Sequence, residues 1–210
     1  MNTNYDTVAE DSLLKTKKKR QFLPQTDAAM DSHRASLPVL LIAALVPRIM
    51  LAHQLDLVTD EIIYIMGGKG YFPLLLHLRF RSNLWLFNYE HPPVVKLLIG
   101  LSIFLNAHLG RMLSELFAAR VPSILSGTIL IVAIYWLGRA PFGRLVALLA
   151  ALCLALSPWL VYFSALAYLD MTMTALITIA YLILWPAIRQ PRLYLLSALL
   201  MGLEIGRAHV

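Results

Sequence analysis

Charge is what this sequence has least of. Only 14% of its 210 residues are Asp, Glu, Lys or Arg, against 59% hydrophobic, and the mean hydropathy is +0.69. Soluble domains carry about a quarter charged residues and close to half apolar ones. The shortage therefore excludes an ordinary soluble domain and points to a chain in contact with lipid, where a buried charge is expensive. Cysteine is nearly absent: Cys153 stands alone, which excludes a disulfide framework within the chain. Its place inside an apolar run reads as a buried structural thiol. No alternating ten-residue strands occur, which excludes a closed transmembrane barrel, and no internal repeat is found. The run Gly67-Gly68-Lys69-Gly70 lacks P-loop spacing and a preceding strand. It reads as a turn between surface helices.

What is present is apolar sequence in long runs. A helix needs about 17–25 residues to cross the hydrocarbon core, and backbone groups in lipid must be satisfied internally. The expected spans are 37–57, 93–108, 121–138, 145–166 and 171–188, with a sixth starting near Leu193. The expected fold class is all-α, a polytopic transmembrane helical protein. Residues 1–36 are polar and include Lys15, Lys17, Lys18, Lys19 and Arg20. They read as a disordered basic cytoplasmic tail, since Lys and Arg collect on the cytoplasmic side. The run after them reads as an uncleaved span rather than a signal peptide. The net charge of +6 is concentrated outside the spans, so topology accounts for it and nucleic-acid binding is not inferred. Arg48 interrupts the first span beside Pro47, where an intramembrane charge is a functional candidate by default.

The exception to the apolar pattern is 58–92, which is too long for a simple connection. It is expected on the exterior or luminal side, with Ile62–Leu78 as helical segments lying on the membrane surface. Asp60 and Glu61 open it. Their plain structural reading is an N-cap and a first helical turn; their chemical reading is an acid pair at the membrane boundary. Such a carboxylate can take a proton from a hydroxyl or hold a metal. Glu90-His91-Pro92-Pro93 closes the stretch, followed by Lys96. The prolines mark a helix start, Glu90 and His91 are of metal-ligating type, and Lys96 suits a phosphate. Trp85, Phe87 and Tyr89 read as interface aromatics.

In these motifs the chain resembles the membrane glycosyltransferases that use polyprenyl-phosphate sugars. These are the protein mannosyltransferases and lipid A aminoarabinose transferases of the GT-C fold. The resemblance rests on Asp60-Glu61, Glu90-His91-Pro92-Pro93 with Lys96, Ala119-Arg120-Val121-Pro122-Ser123, Ser157-Pro158 and Tyr168-Leu169-Asp170, within 37–203. It implies Asp60 as the catalytic carboxylate, with Glu61 its neighbour and Asp170 a further acid at the active site. It implies Glu90 as ligand to a divalent metal, the one cofactor expected. Lys96, Arg120 and His91 are the implied contacts to the donor phosphate. Ala165 departs from the mannosyltransferase pattern, which often has Arg there. The implied reaction is an inverting transfer of a sugar, mannose-like or other, from polyprenyl phosphate to an acceptor hydroxyl. The implied partners are that lipid-linked sugar, membrane lipids, and a protein, lipid or glycan acceptor, with no nucleic acid. The implied location is the plasma membrane of a prokaryote or the endoplasmic reticulum membrane of a eukaryote.

Two expectations pull against this reading. Alternation of the expected spans places Asp170 on the opposite side from Asp60, whereas the resemblance places them together; a break at Ser157-Pro158 would reconcile them. The segment 204–210, Glu-Ile-Gly-Arg-Ala-His-Val, matches the translation of a widely used sequencing adapter. It reads as an artefact that ends an inactive N-terminal fragment. Two other classes remain. A transporter would use Arg48 and Asp170 along its path and show internal repeats, and a non-catalytic membrane protein would carry the motifs by accident.

Overall fold

The computed structural model describes the backbone of residues 26–204 and the side chains of 36–203. The expectations for residues 1–25 and 205–210 lie outside the described residues. The chain divides into two units, Met1–Val39 and Leu40–Val210, and the second of them is the helical bundle. Among the described residues all regular structure is helical. The helices are α1 (Thr26–Gln54), α2 (Thr59–Leu76), α3 (Pro93–His108), α4 (Glu115–Phe142), α5 (Arg144–Ala155), α6 (Pro158–Ser164), α7 (Leu169–Ala187) and α8 (Arg192–Glu204), with a short 3-10 turn at Asn83–Leu86. Helix α1 starts at Thr26, ahead of the expected 37.

Among the described residues three helices are long and apolar enough to cross a membrane: Ser36–Gln54 within α1, all of α4, and all of α7. Helices α5 and α6 together pass the same test as one span bent by 61°. The protein is thus a polytopic helical membrane protein. Helix α4 is its hub. Of its most apolar window 56% is buried inside the protein, against 22% for α1, and it packs on α3, α5, α6 and α7. Small residues allow the close approach that packing in lipid requires. Ala147, Ala151 and Ala155 lie on one face of α5 against Leu40, Ala44, Ile131 and Tyr135. Cys153 is exposed, not buried, because it lies off that face.

The expected span 93–108 is the main revision. Helix α3 has 16 residues, about 24 Å at 1.5 Å per residue, short of a core of about 30 Å. It also runs in the same direction as its neighbour α2. Lys96 lies against Gly67, Gly100 against Gly68, and Phe104 against Phe72 at 5.2 Å between ring centroids. Two adjacent helices in one direction require a return segment, and residues 77–92 supply it along α2. The glycines are therefore not a turn. Gly67 and Gly68 are buried within α2, and a Cβ at Gly100 would lie 2.3 Å from the Gly68 carbonyl oxygen. The helices meet backbone to backbone.

Removing α3 from the count changes the parity of everything after it. The end of α1, the starts of α2, α3 and α4, the end of the bent pair and the start of α7 now share one end of the bundle. Two contacts show it directly. The Ala167 N–H donates to Glu61 Oε1 at 2.7 Å, and Ser123 Oγ donates to the Tyr168 carbonyl at 3.2 Å.

Candidate active site

The common end of the bundle is organised around one buried ion pair. Val58 stands at the N-cap of α2, so Asp60 and Glu61 fall in its first turn, where carboxylates face the helix dipole favourably. The two point differently. Asp60 is exposed, whereas Glu61 is fully buried. Glu61 Oε1 accepts from Arg120 Nε at 2.8 Å and from the Ala167 N–H, and Oε2 accepts from Arg120 Nη2 at 2.6 Å and from the Val58 N–H at 3.0 Å. Arg120, 1% exposed, donates further to the carbonyls of Ala52, Leu55 and Asp56 at 2.7–2.8 Å. All five of its N–H groups are engaged. Burial pushes the Glu61 carboxyl up, but the Arg120 hydrogen bonds and the two backbone N–H groups outweigh it and hold the group below its usual value. This pair joins the end of α1, the start of α2, α4 and the corner between α6 and α7.

Around it lies an aromatic and acidic rim. The Tyr64 ring is 5.9 Å from His91 and 6.0 Å from Tyr168. Burial first, then the charges of Asp170, Asp60 and Glu90, push the Tyr64 hydroxyl up to about 12. Burial and then Asp60 raise Tyr168 as well. The structure thus brings Asp60, Glu90 and Asp170, all exposed, around one tyrosine. Simple alternation of the expected spans excludes that juxtaposition.

The segment that carries Glu90 and His91 is held from beneath. Lys96 is fully buried in the first turn of α3 and donates to the carbonyls of Asn88, His91 (3.4 Å) and Phe87 (3.5 Å), with its ammonium 5.1 Å from the centre of the Tyr71 ring. Burial brings Lys96 down to about 8, with Glu90 acting in the other direction. Asn88 adopts φ 52°, a left-handed conformation that Asn tolerates. The Tyr71 hydroxyl lies 2.7 Å from the carbonyls of both Trp85 and Phe87. In this arrangement neither Lys96 nor Arg120 has a donor left for a phosphate. His91, half-buried, has no hydrogen bond to its ring nitrogens among the described residues. Glu90 accepts from Asn88 Nδ2 at 2.9 Å, and no three His, Cys, Asp or Glu side chains converge to cage a metal among the described residues.

The profile of the family described as dolichyl-phosphate-mannose-protein mannosyltransferase matches residues 90–206, more than half of the chain. The chain belongs to that family. No curated protein and no solved structure matches it. Family membership makes it a glycosyltransferase of the mannosyltransferase type. The matched part contains Glu90, His91, Lys96, Arg120 and Asp170; Asp60 and Glu61 precede it and are tied to it by the bonds from Glu61 to Arg120 and Ala167. What the motifs alone do not show is the division of labour between adjacent acids. Helical register does not separate them: Asp60 stands at i, i+4, i+7, i+11 with the buried Tyr64, Gly67 and Tyr71, and Glu61 at i, i+3, i+7 with the buried Tyr64 and Gly68.

Proposed function

We propose that this chain forms the catalytic end of an enzyme that transfers a sugar from a polyprenyl-phosphate donor to an acceptor hydroxyl, with inversion. The observation that carries the proposal is the pairing of an exposed Asp60 with a locked Glu61–Arg120 support, on a rim shared with Glu90, His91 and Asp170. Asp60 is the catalytic base. It takes the proton of the acceptor hydroxyl as that oxygen attacks the anomeric carbon. The new C–O bond forms as the anomeric C–O bond to phosphate breaks, and the electron pair leaves with the polyprenyl phosphate. His91 is the residue we assign to the departing phosphate, because its ring is available where Lys96 and Arg120 are not. Asp170 faces the same rim and orients the acceptor or the sugar hydroxyls. Glu61, Arg120 and Lys96 position these groups.

Glu90 is the one metal ligand we propose. It fits as a single exposed carboxylate only, so no step is derived through an ion. An ion held there supplies neutralising charge to the phosphate. The lipid donor suits this architecture, since its tail stays among the helices while the sugar reaches the aqueous edge. Arg139 and Arg144 flank one far-end connection and Arg189 and Arg192 the other, an excess that marks the cytoplasmic face. The site therefore faces the exterior or lumen.

Asp60→Asn in the full-length protein tests the reading. Transfer from a synthetic polyprenyl-phosphate mannose should fall by about 10²-fold or more, with membrane insertion unchanged. Unchanged transfer rejects Asp60 as the base.

A further inference from the structure

Arg48 takes no part in the site around Asp60. It is fully buried in α1, inside a membrane span, where an uncompensated charge costs several kcal/mol. Its Nη1 donates to the Ala44 carbonyl at 2.7 Å and, across the bundle, to the Ala155 carbonyl at 3.0 Å. Its Nε and Nη2 have no hydrogen-bond partner among the described residues. No carboxylate among them pairs with it.

Ala155 is the last residue of α5, at the break of the bent span. In a continuous helix its carbonyl would accept from the N–H of Trp159. Pro158 brings no N–H and turns the chain by 61°. A helix that ends within the membrane leaves carbonyls without partners and about half a negative charge at its C-terminus. Arg48 meets both needs, with an N–H for the orphaned carbonyl and a positive charge for the dipole. The surrounding packing is correspondingly tight. A Cβ on Gly127 of α4 would lie 2.3 Å from Ser164 Oγ and 3.1 Å from Arg48 Nε. Just beyond the break, Ala165, Leu166 and Ala167 are fully buried, and Ala167 carries the N–H that binds Glu61.

We infer that Arg48 is a positioning residue, the buried counter-ion of the α5 C-terminus. It holds the bent span in the shape that delivers Ala167, Tyr168 and Asp170 to the Asp60 end. Its importance for transfer rests on the proposed function; its hold on the corner does not.

The test uses the full-length protein in lipid vesicles with Cys153→Ser and one reporter cysteine, labelled by a membrane-permeant maleimide. Ala165→Cys reports the corner, and Ala147→Cys reports the far end of α5, where Ala147 is equally buried. Arg48→Met should speed labelling at 165 on the order of tenfold, the equivalent of one lost hydrogen bond to a charged group, and leave 147 unchanged. Arg48→Lys, which keeps the charge and one donor, should restore protection at 165 and restore transfer. Gly127→Ala disturbs the same corner with Arg48 in place. It should also open 165 selectively, which keeps the question answerable where Arg48→Met does not fold. Protection at 165 unchanged in Arg48→Met, or in Gly127→Ala where Arg48→Met does not fold, overturns the inference, as does equal opening of 165 and 147 in either. Absence of transfer in the parent protein overturns the proposed function and leaves the labelling result to decide this inference alone.

Discussion

Replacing Arg120 with Met removes the centre of the site's support without changing its exposed acids. Arg120 makes five hydrogen bonds, two of them to Glu61. Its loss leaves Glu61 fully buried with only the Val58 and Ala167 N–H groups as partners. Two charge-assisted bonds at about 1.5–3 kcal/mol each put the loss at roughly 3–6 kcal/mol. This agrees with the ~3–5 kcal/mol typical of breaking a buried pair from one side. The measurement is unfolding of the detergent-solubilised full-length protein, followed by loss of helical signal. Glu61→Gln and the double variant complete a thermodynamic cycle. Because either single change already breaks the pair, the double variant should be little worse than Arg120→Met.

The pH dependence has a definite sign. In the parent, Glu61 is held below its usual 4.5. The stabilisation from its charge is therefore full above that value and is lost as pH falls through the lower, folded-state value. In Arg120→Met the burial that raises Glu61 is no longer outweighed, so its folded-state pKa lies above the unfolded one. The folded variant then binds the extra proton first, and its deficit narrows as pH falls towards the carboxyl's usual 4.5. A loss within about 1 kcal/mol of the parent, an additive cycle, or a deficit that widens on acidification refutes the account of the pair.

Gly100→Ala would place a Cβ 2.3 Å from the Gly68 carbonyl and 2.5 Å from Phe72 Cβ. It should cost about 1–3 kcal/mol by forcing α2 and α3 apart. Gly70→Ala, with nothing within 4 Å, should be neutral or stabilise by up to ~1 kcal/mol; equal thermal shifts for the two would reject the backbone contact. Lys96→Met releases the carbonyls of Phe87, Asn88 and His91, so limited proteolysis should cut near the exposed Tyr89 faster than in the parent, and transfer should fall with it. An unchanged cleavage rate rejects Lys96 as the anchor of this segment. Lys69→Ala breaks a bridge to Glu115 whose side chains are 47% and 57% exposed. It should cost less than ~1 kcal/mol, vanishing at high salt, and a larger or salt-independent loss would show that exposure misjudges this pair.

The helical class and the two boundaries of the polar stretch are legible in the sequence because both are local. Apolar run length identifies α4 and α7, and Pro92-Pro93 marks the start of α3. The roles of neighbouring charges are not legible, because they depend on residues far away in the chain. Asp60 and Glu61 look alike in sequence; one lies in solvent and the other against a guanidinium 59 positions later. Lys96 and Arg120 are good phosphate ligands by residue type. What commits them elsewhere is a set of backbone carbonyls, a class of partner that residue identity does not display. The glycines of α2 mislead for a related reason: a glycine needed for a helix crossing is indistinguishable in sequence from one needed for a turn until Gly100 is seen across from it.

The span count fails in a way that has a general physical origin. Hydropathy measures transfer of a segment from water and does not say what the segment is transferred into. Helix α3 satisfies its apolar side chains against α2 and α4 rather than by crossing the bilayer, and the two environments register alike. One such helix inverts the inferred side of every later element, so an error at 93–108 displaces Asp170 by the full thickness of the membrane. The motifs are immune to it because they record which residues must meet. Buried Lys96 in the first turn of α3 is the available clue. A lysine engaged with three carbonyls of the preceding segment belongs to a helix that begins by folding back on its own loop. Where a short apolar helix carries such a charge at its entry, parity should be assigned from the contacts of the motifs, and hydropathy used only for the spans that remain.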